Sequence, residues 1–276
     1  MIKDLIVNAI VGEGTDVAGP YAISIAQMFD AHVAAVAFAY DPMIPPTIMG
    51  GIPASMIDEQ RAENERAASD ALAKFDEAAR REGVSFESRI AGASLAGASE
   101  SFGAMARRFD LSVIAQAEPD KTTPEELIVE GALFGSGRPV VVVPYIQKTG
   151  VKLDRIMVCW DASRAAARAV GDAMPFFKRA KAIDVVIVAS ERPKSDEIPG
   201  ADIGQHLARH GLNVDVKRIV ATEGSVANTL LSHAADISAD FIVMGGYGHS
   251  RLREFILGGV TRGILASLTV PALMSH

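Results

Sequence analysis

The chain has 276 residues, of which 49% are hydrophobic and 22% charged, and its formal net charge is −7. This length suits two domains or one large α/β unit, and the composition excludes disordered and fibrous proteins. The single cysteine predicts a protein without disulfides, and the lack of a leader-like start predicts a cytoplasmic one. The acidic net charge predicts that it does not bind nucleic acid, and the lack of a long uncharged apolar run predicts that it does not bind a membrane.

Short runs rich in Val and Ile alternate with Ala-rich stretches of helical spacing, and this order occurs twice. The predicted strands are 5–11, 31–39, 86–90, 111–115 and 139–145, then 156–160, 183–189, 214–220, 241–245 and 271–274. Strands that are apolar almost throughout, alternating with helices, are typical of a parallel sheet covered on both faces. The sequence therefore predicts an α/β protein made of two tandem, doubly wound, five-stranded parallel-sheet domains.

The boundary between the halves is predicted at 146–153, where polar residues follow a strand, so that the domains are 1–146 and 153–276. The first half has two additions. An apolar loop at 41–53 precedes a long helix at about 55–82, and a Pro-interrupted segment covers 118–137. The loop is either a lid, an oligomer contact or a cover over its own domain.

Charge is distributed unequally between the halves. Residues 1–150 have 12 Lys+Arg and 21 Asp+Glu, or −9, whereas residues 151–276 have 15 and 13, or +2. A small anionic ligand therefore suits the second half better than the first.

Polar and glycine-rich segments follow the first and fourth strands of the second half. In a doubly wound sheet these strand ends meet where the strand order reverses, and ligands bind there. Glycines allow the backbone to approach a ligand closely, and when a helix N-terminus follows them the two together can bind phosphate. His249 lies in the glycine-rich segment after the fourth strand, the glycine loop, and either contacts phosphate or is simply exposed. The candidate binding residues are Asp161, Ala189, Gly245, Gly248, His249, Gly258, Gly259 and Val260.

The pattern G-x-x-G-x9-G-G from Gly245 to Gly259, with Asp161-x-Ser163 after the first strand, resembles the universal stress protein family. Nucleotide-binding members of that family carry G-x-x-G-x9-G-[ST]. The resemblance covers the second half and, through strand order, extends to the first. It implies a tandem two-domain universal stress protein with the adenine nucleotide alpha hydrolase-like fold and strand order 3-2-1-4-5.

The resemblance also implies a ligand, ATP or a related adenine nucleotide, with or without Mg²⁺. Asp161 would meet the adenosine, and the backbone of Ala189 or Val188 would meet adenine. The triphosphate and ribose would be lined by Gly245, Gly248 and Gly258.

Two departures from the family pattern weaken this expectation. Gly259 stands where the family has Ser or Thr, so a hydroxyl for a phosphate oxygen is missing unless Thr261 partly replaces it. In the first half, Asn8 stands near the place of the family's Asp, and Gln116 and Glu118 replace the glycines. We therefore expect the first half to bind no nucleotide and to pack against the second.

Three further features have simpler interpretations. Asp202, His206 and His210 share one helix face at metal-ligand spacing, but a solvated face without metal is expected. Cys159 is expected to be a buried, inert thiol, and Ser163 to cap the helix that begins at Arg164.

No catalytic signature occurs in the sequence. The preferred function is a homodimeric stress-response protein that binds an adenine nucleotide in its second half, with little or no catalysis. The alternative is a dimeric scaffold of the same fold without nucleotide. A third class, an adenylyl-transferring or ATP-hydrolysing enzyme, rests on fold analogy alone.

Overall fold

A computed structural model describes residues 1–12, 14–42, 53–118, 124–189, 201–221, 225–246 and 259–276. The chain divides into two compact units, Met1–Arg138 and Pro139–His276. Each unit is an α/β structure dominated by parallel strands, so the predicted fold class is confirmed.

The first unit contains four parallel strands in the order β3-β2-β1-β4. Its elements are β1 (Asp4–Asn8), α1 (Ala18–Phe29), β2 (His32–Tyr40), α2 (Ala54–Arg81), β3 (Ser85–Ala93), α3 (Leu95–Ala106), β4 (Leu111–Ala115) and α4 (Glu125–Gly135). The first strand ends at Asn8, earlier than predicted, and most of the apolar loop at 41–53 lies outside the described residues.

The second unit contains six strands in the order β5-β10-β9-β6-β7-β8. Its elements are β5 (Val140–Val143), β6 (Arg155–Cys159), α5 (Arg164–Phe177), β7 (Ala182–Ala189), α6 (Ala201–Arg209), β8 (Val214–Val220), α7 (Val226–Asp236), β9 (Phe241–Gly245), α8 (Gly259–Ala266) and β10 (Ala272–Ser275). Strands β6 to β10 are parallel and follow the predicted order 3-2-1-4-5.

Strand β5 is grouped with the second unit, although the sequence assigns it to the first half. It pairs antiparallel with β10, with Val141 opposite Leu273. The boundaries 1–146 and 153–276 stay a prediction.

Burial follows the position of each strand in its sheet. All residues of β4 and β5 are buried, as expected for strands covered on both faces, whereas the edge strands β3 and β8 are largely exposed or half-buried. Among the helices in the described ranges, none combines the length and apolarity needed to cross a membrane.

Candidate functional site

Strands β6 and β9 are neighbours at the centre of the second sheet, and the strand order reverses between them. Cys159 is paired with Met244, so Asp161 and Gly245 follow immediately at the same edge of the sheet. Helices α5 and α8 follow these two strands, and both therefore begin at this edge. This is the position at which doubly wound sheets bind ligands.

Asp161 lies in a tight turn between β6 and α5. Its Oδ1 accepts a hydrogen bond from the Ser163 backbone N at 2.9 Å, and Ala162 between them has φ +60°, in the left-handed region. The Ser163 hydroxyl accepts from the Ala166 N at 3.1 Å and caps α5, as predicted. This turn keeps the exposed Asp161 side chain at the carboxyl edge of the sheet.

Gly245 is held closely against the first turn of α5. A Cβ at this position would lie 2.5 Å from the Ala166 N and 2.7 Å from the Ala165 carbonyl carbon. A side chain would therefore collide with helix backbone. This packing requirement is sufficient to explain the glycine, whether or not it also approaches a ligand, and the sequence pattern alone did not reveal it.

Helix α8 begins with two exposed residues. Gly259 and Val260 are exposed, and among the described residues no atom comes within 4 Å of a Cβ built on Gly259. The first backbone N–H groups of a helix have no partner within it, and the helix dipole adds partial positive charge there. Thr261 is only 4% exposed, so its side chain is not presented to solvent in place of the missing Ser or Thr.

Ala189 is the last residue of β7, which neighbours β6, and it is buried. It ends the second strand as the sequence predicts, and its contact with adenine stays a prediction. The remaining candidates, Gly248, His249 and Gly258, lie outside the described residues.

Cys159 is the titratable group nearest Asp161 along the chain. Burial and the negative charge of Asp161 raise the pKa of its thiol to about 12. At neutral pH the thiol is therefore protonated and a poor nucleophile. The residue itself is half-buried and not fully buried as predicted, because it is the last residue of β6.

The corresponding edge of the first unit has different chemistry. Asn8, the last residue of β1, and Gln116, directly after β4, are 2% and 4% exposed, and Glu125 in the first turn of α4 is 7% exposed. Burial and the charge of Glu125 raise the pKa of Tyr40, at the end of β2, well above its usual value. A carboxylate at this edge disfavours a polyphosphate.

His206 and His210 stand with their ring centroids 4.9 Å apart, while Asp202 Oδ1 accepts from the Ile203 N at 2.8 Å. Within the ranges that the structure describes, no group of three or more His, Cys, Asp or Glu residues is placed to hold a metal ion. That this face binds no metal stays a prediction.

Comparisons with known proteins bear on this site. A sequence profile described as the Universal stress protein family matches residues 152–276. A curated universal stress protein of Synechocystis sp. is 28% identical over 67 residues, and this match spans 24% of the chain and only 22% of that relative.

Two solved structures resemble the whole chain. A universal stress protein of Archaeoglobus fulgidus has a TM-score of 0.73 at 18% identity, covering 99% of this chain and 97% of its own. A Pseudomonas aeruginosa protein has a TM-score of 0.64 at 15% identity, covering 99% and 93%. At such identities the likeness concerns the fold, and it includes the first half that the profile does not match. Residues 152–276 therefore carry the sequence signature of the universal stress protein family, whereas the first unit shares with its members the fold alone.

Proposed function

We propose that the second unit binds one adenine nucleotide, ATP or a close relative, with or without Mg²⁺. The observation that carries this proposal is the pairing of a carboxylate, Asp161, with the exposed N-terminus of α8 at the reversal of strand order. A carboxylate at such a crevice accepts hydrogen bonds from ribose hydroxyls, and an open helix N-terminus receives phosphate.

The two helices at this edge have different roles in the proposal. The N-terminus of α5 is capped by Ser163 and the Asp161 turn, so its donors are partly used. Helix α8 begins with an exposed glycine, and no described atom lies within 4 Å of a Cβ built there, which supports placing the phosphate oxygens at this helix. The phosphates therefore belong at α8 and the nucleoside at the ends of β6 and β7.

We propose further that turnover is slow or absent. Within the described part of the site, the Cys159 thiol is protonated at neutral pH, and no nucleophile is paired with a base. The bound nucleotide then acts as a signal or a structural ligand in a stress response rather than as a substrate.

The missing hydroxyl at Gly259 provides a direct test. Gly259→Ser adds a hydroxyl at a position where no described atom lies within 4 Å of the new Cβ, and a hydrogen bond to a phosphate should tighten ATP binding about 10- to 100-fold. Gly259→Ala adds the same Cβ without the hydroxyl and is the matched control. Titration calorimetry with ATP measures both, and equal affinities for the two variants would place the phosphates elsewhere.

Stoichiometry and the glycine loop provide the second part of the test. We expect one ATP per chain, and Gly248→Val should abolish binding by adding a β-branched side chain to the glycine loop, while the fold survives. Two ATP per chain, or unchanged binding by this variant, would contradict the assigned site.

The alternative is a dimeric scaffold without nucleotide, and two observations favour it. Gly259 lacks the family's hydroxyl, and Thr261 is buried. Mass spectrometry of the natively purified protein distinguishes the two functions, because only a nucleotide-binding protein retains an adenine nucleotide. Absence of binding to any adenine nucleotide would favour the scaffold.

A further inference from the structure

The first unit contains a cavity of about 190 Å³ along the amino-terminal halves of its strands, away from the carboxyl edge where nucleotides bind in such sheets. It lies between strands β1 to β3 and the C-terminal end of α3. Its floor is apolar and consists of Ile6, Ala34 and Val36. The volume equals that of about six molecules of liquid water, well below that of drug-sized pockets, and suits a very small molecule.

Asp4 lines this cavity and is half-buried. Its Oδ1 is shut off from solvent and has no hydrogen-bond partner among the described residues, so only the rest of the carboxylate can face the cavity. The neighbouring Asp110 differs, because its Oδ2 accepts from the Lys3 and Asp4 backbone N atoms at 2.8 and 3.2 Å. Burial raises the pKa of Asp4, the charge of His32 opposes this, and Asp110 and Glu87 raise it further. A cation placed here would relieve an unfavourable charge.

Both signs of charge line the cavity. Glu87 and Arg89 are two residues apart on β3 and so project from the same face, and Arg108 follows α3. In the part of the chain that the structure describes, none of these three side chains forms an ion pair or a hydrogen bond. The cavity therefore offers two carboxylates and two guanidinium groups above an apolar floor.

We propose that this cavity binds a free α-amino acid with an aliphatic side chain. The ammonium group lies against Asp4 and Glu87, and the carboxylate accepts hydrogen bonds from the guanidinium groups of Arg89 and Arg108. The aliphatic side chain contacts the apolar floor. A simple anion would meet Asp4 and Glu87, and a simple cation would meet the two arginines, so a molecule that carries both charges fits better than either.

This inference does not depend on nucleotide binding, which concerns the other unit. The probe is radiolabelled L-leucine in equilibrium dialysis against the full chain. We expect one leucine per chain, and weaker binding of L-leucinamide, which lacks the carboxylate, and of 4-methylpentanoate, which lacks the ammonium group.

Two substitutions test the charged contacts. Asp4→Asn and Arg108→Gln should each weaken leucine binding about 10- to 100-fold, because each removes a charge-assisted contact. Asp4→Asn removes a charge that burial disfavours, so the variant should fold, which thermal melting followed by circular dichroism checks. Asp58→Asn, an exposed change on α2 outside the cavity, is the matched control.

Two results would overturn the inference. One is a parent protein that binds no L-leucine at millimolar concentrations, and the other is leucine binding that Asp4→Asn and Arg108→Gln leave unchanged. ATP binding by the same variants should equal that of the parent, so a failure here is distinguishable from a failure of the nucleotide proposal.

Discussion

Two glycines of the second unit show how differently the same residue can be used. Gly245 ends β9 against the backbone of α5, whereas Gly171 lies exposed within α5 with no described atom within 4 Å of an added Cβ. The first glycine makes close packing of the helix possible. The second only lowers helix stability, because glycine loses more conformational freedom on folding than other residues.

Replacing each glycine with alanine should therefore have opposite effects on the free energy of unfolding. We expect Gly245→Ala to destabilise the protein by about 1–3 kcal/mol, because the Cβ collides with the Ala165 and Ala166 backbone. Gly171→Ala should stabilise it by about 0.5–1 kcal/mol. Urea unfolding measures both values. Similar stability for parent and Gly245→Ala would show that the first turn of α5 can move without cost.

At the scale of elements, strands β6, β7 and β8 are joined by a buried ion cluster. Asp184 on β7 is 1% exposed. Its Oδ2 lies 2.6 Å from Arg155 Nη1, and its Oδ1 lies 2.6 Å from Lys217 Nζ. Burial alone raises the pKa of Asp184, but the hydrogen bonds and charges of Lys217 and Arg155 outweigh it and lower the pKa below its usual value. The cluster therefore favours the ionised carboxylate.

Asp184→Asn should destabilise the protein by about 2 kcal/mol at neutral pH. It leaves two cations without their partner, and their partial exposure reduces the cost below that of a fully buried pair. Because the folded pKa is lowered, the parent's advantage is present above the unfolded pKa and is lost as pH falls through the folded value. Unfolding in urea at neutral and acid pH checks both points.

The control is Asp154→Asn, which removes an exposed pair with Lys181 whose charged atoms lie 2.7 Å apart. Little change is expected, because solvent screens exposed pairs. A loss of stability for Asp184→Asn that persists unchanged at acid pH would mean that packing, and not charge, is responsible.

The elements themselves could be predicted well from periodicity. Strands β4, β8 and β9 begin and end where the apolar runs predict, and the long helix predicted at about 55–82 is α2, Ala54–Arg81. Contacts between distant elements could not be predicted in this way. That Gly245 meets Ala166, or that Asp184 meets Arg155 and Lys217, depends on which strands become neighbours, and local patterns do not contain that information.

At the scale of the whole molecule, we expect two chains to associate. The sequence contains an apolar loop at 41–53, and Leu127 and Phe134, seven residues apart on α4, are 42% and 48% exposed. Apolar residues close together on one helix face are typical of interaction surfaces. Sedimentation equilibrium should give twice the chain mass of 29.1 kDa. A single species at the chain mass across micromolar concentrations would contradict this expectation.

The antiparallel pairing of β5 with β10 has a consequence for any attempt to isolate the second half of the chain. A fragment that begins at residue 153 lacks β5, so the backbone groups of β10 that face Val140–Val143 would lose their partners. An uncovered apolar edge strand recruits strands from other molecules, and such a fragment should aggregate. A fragment that begins at Pro139 retains the pairing of β5 with β10 and should aggregate less than the shorter one.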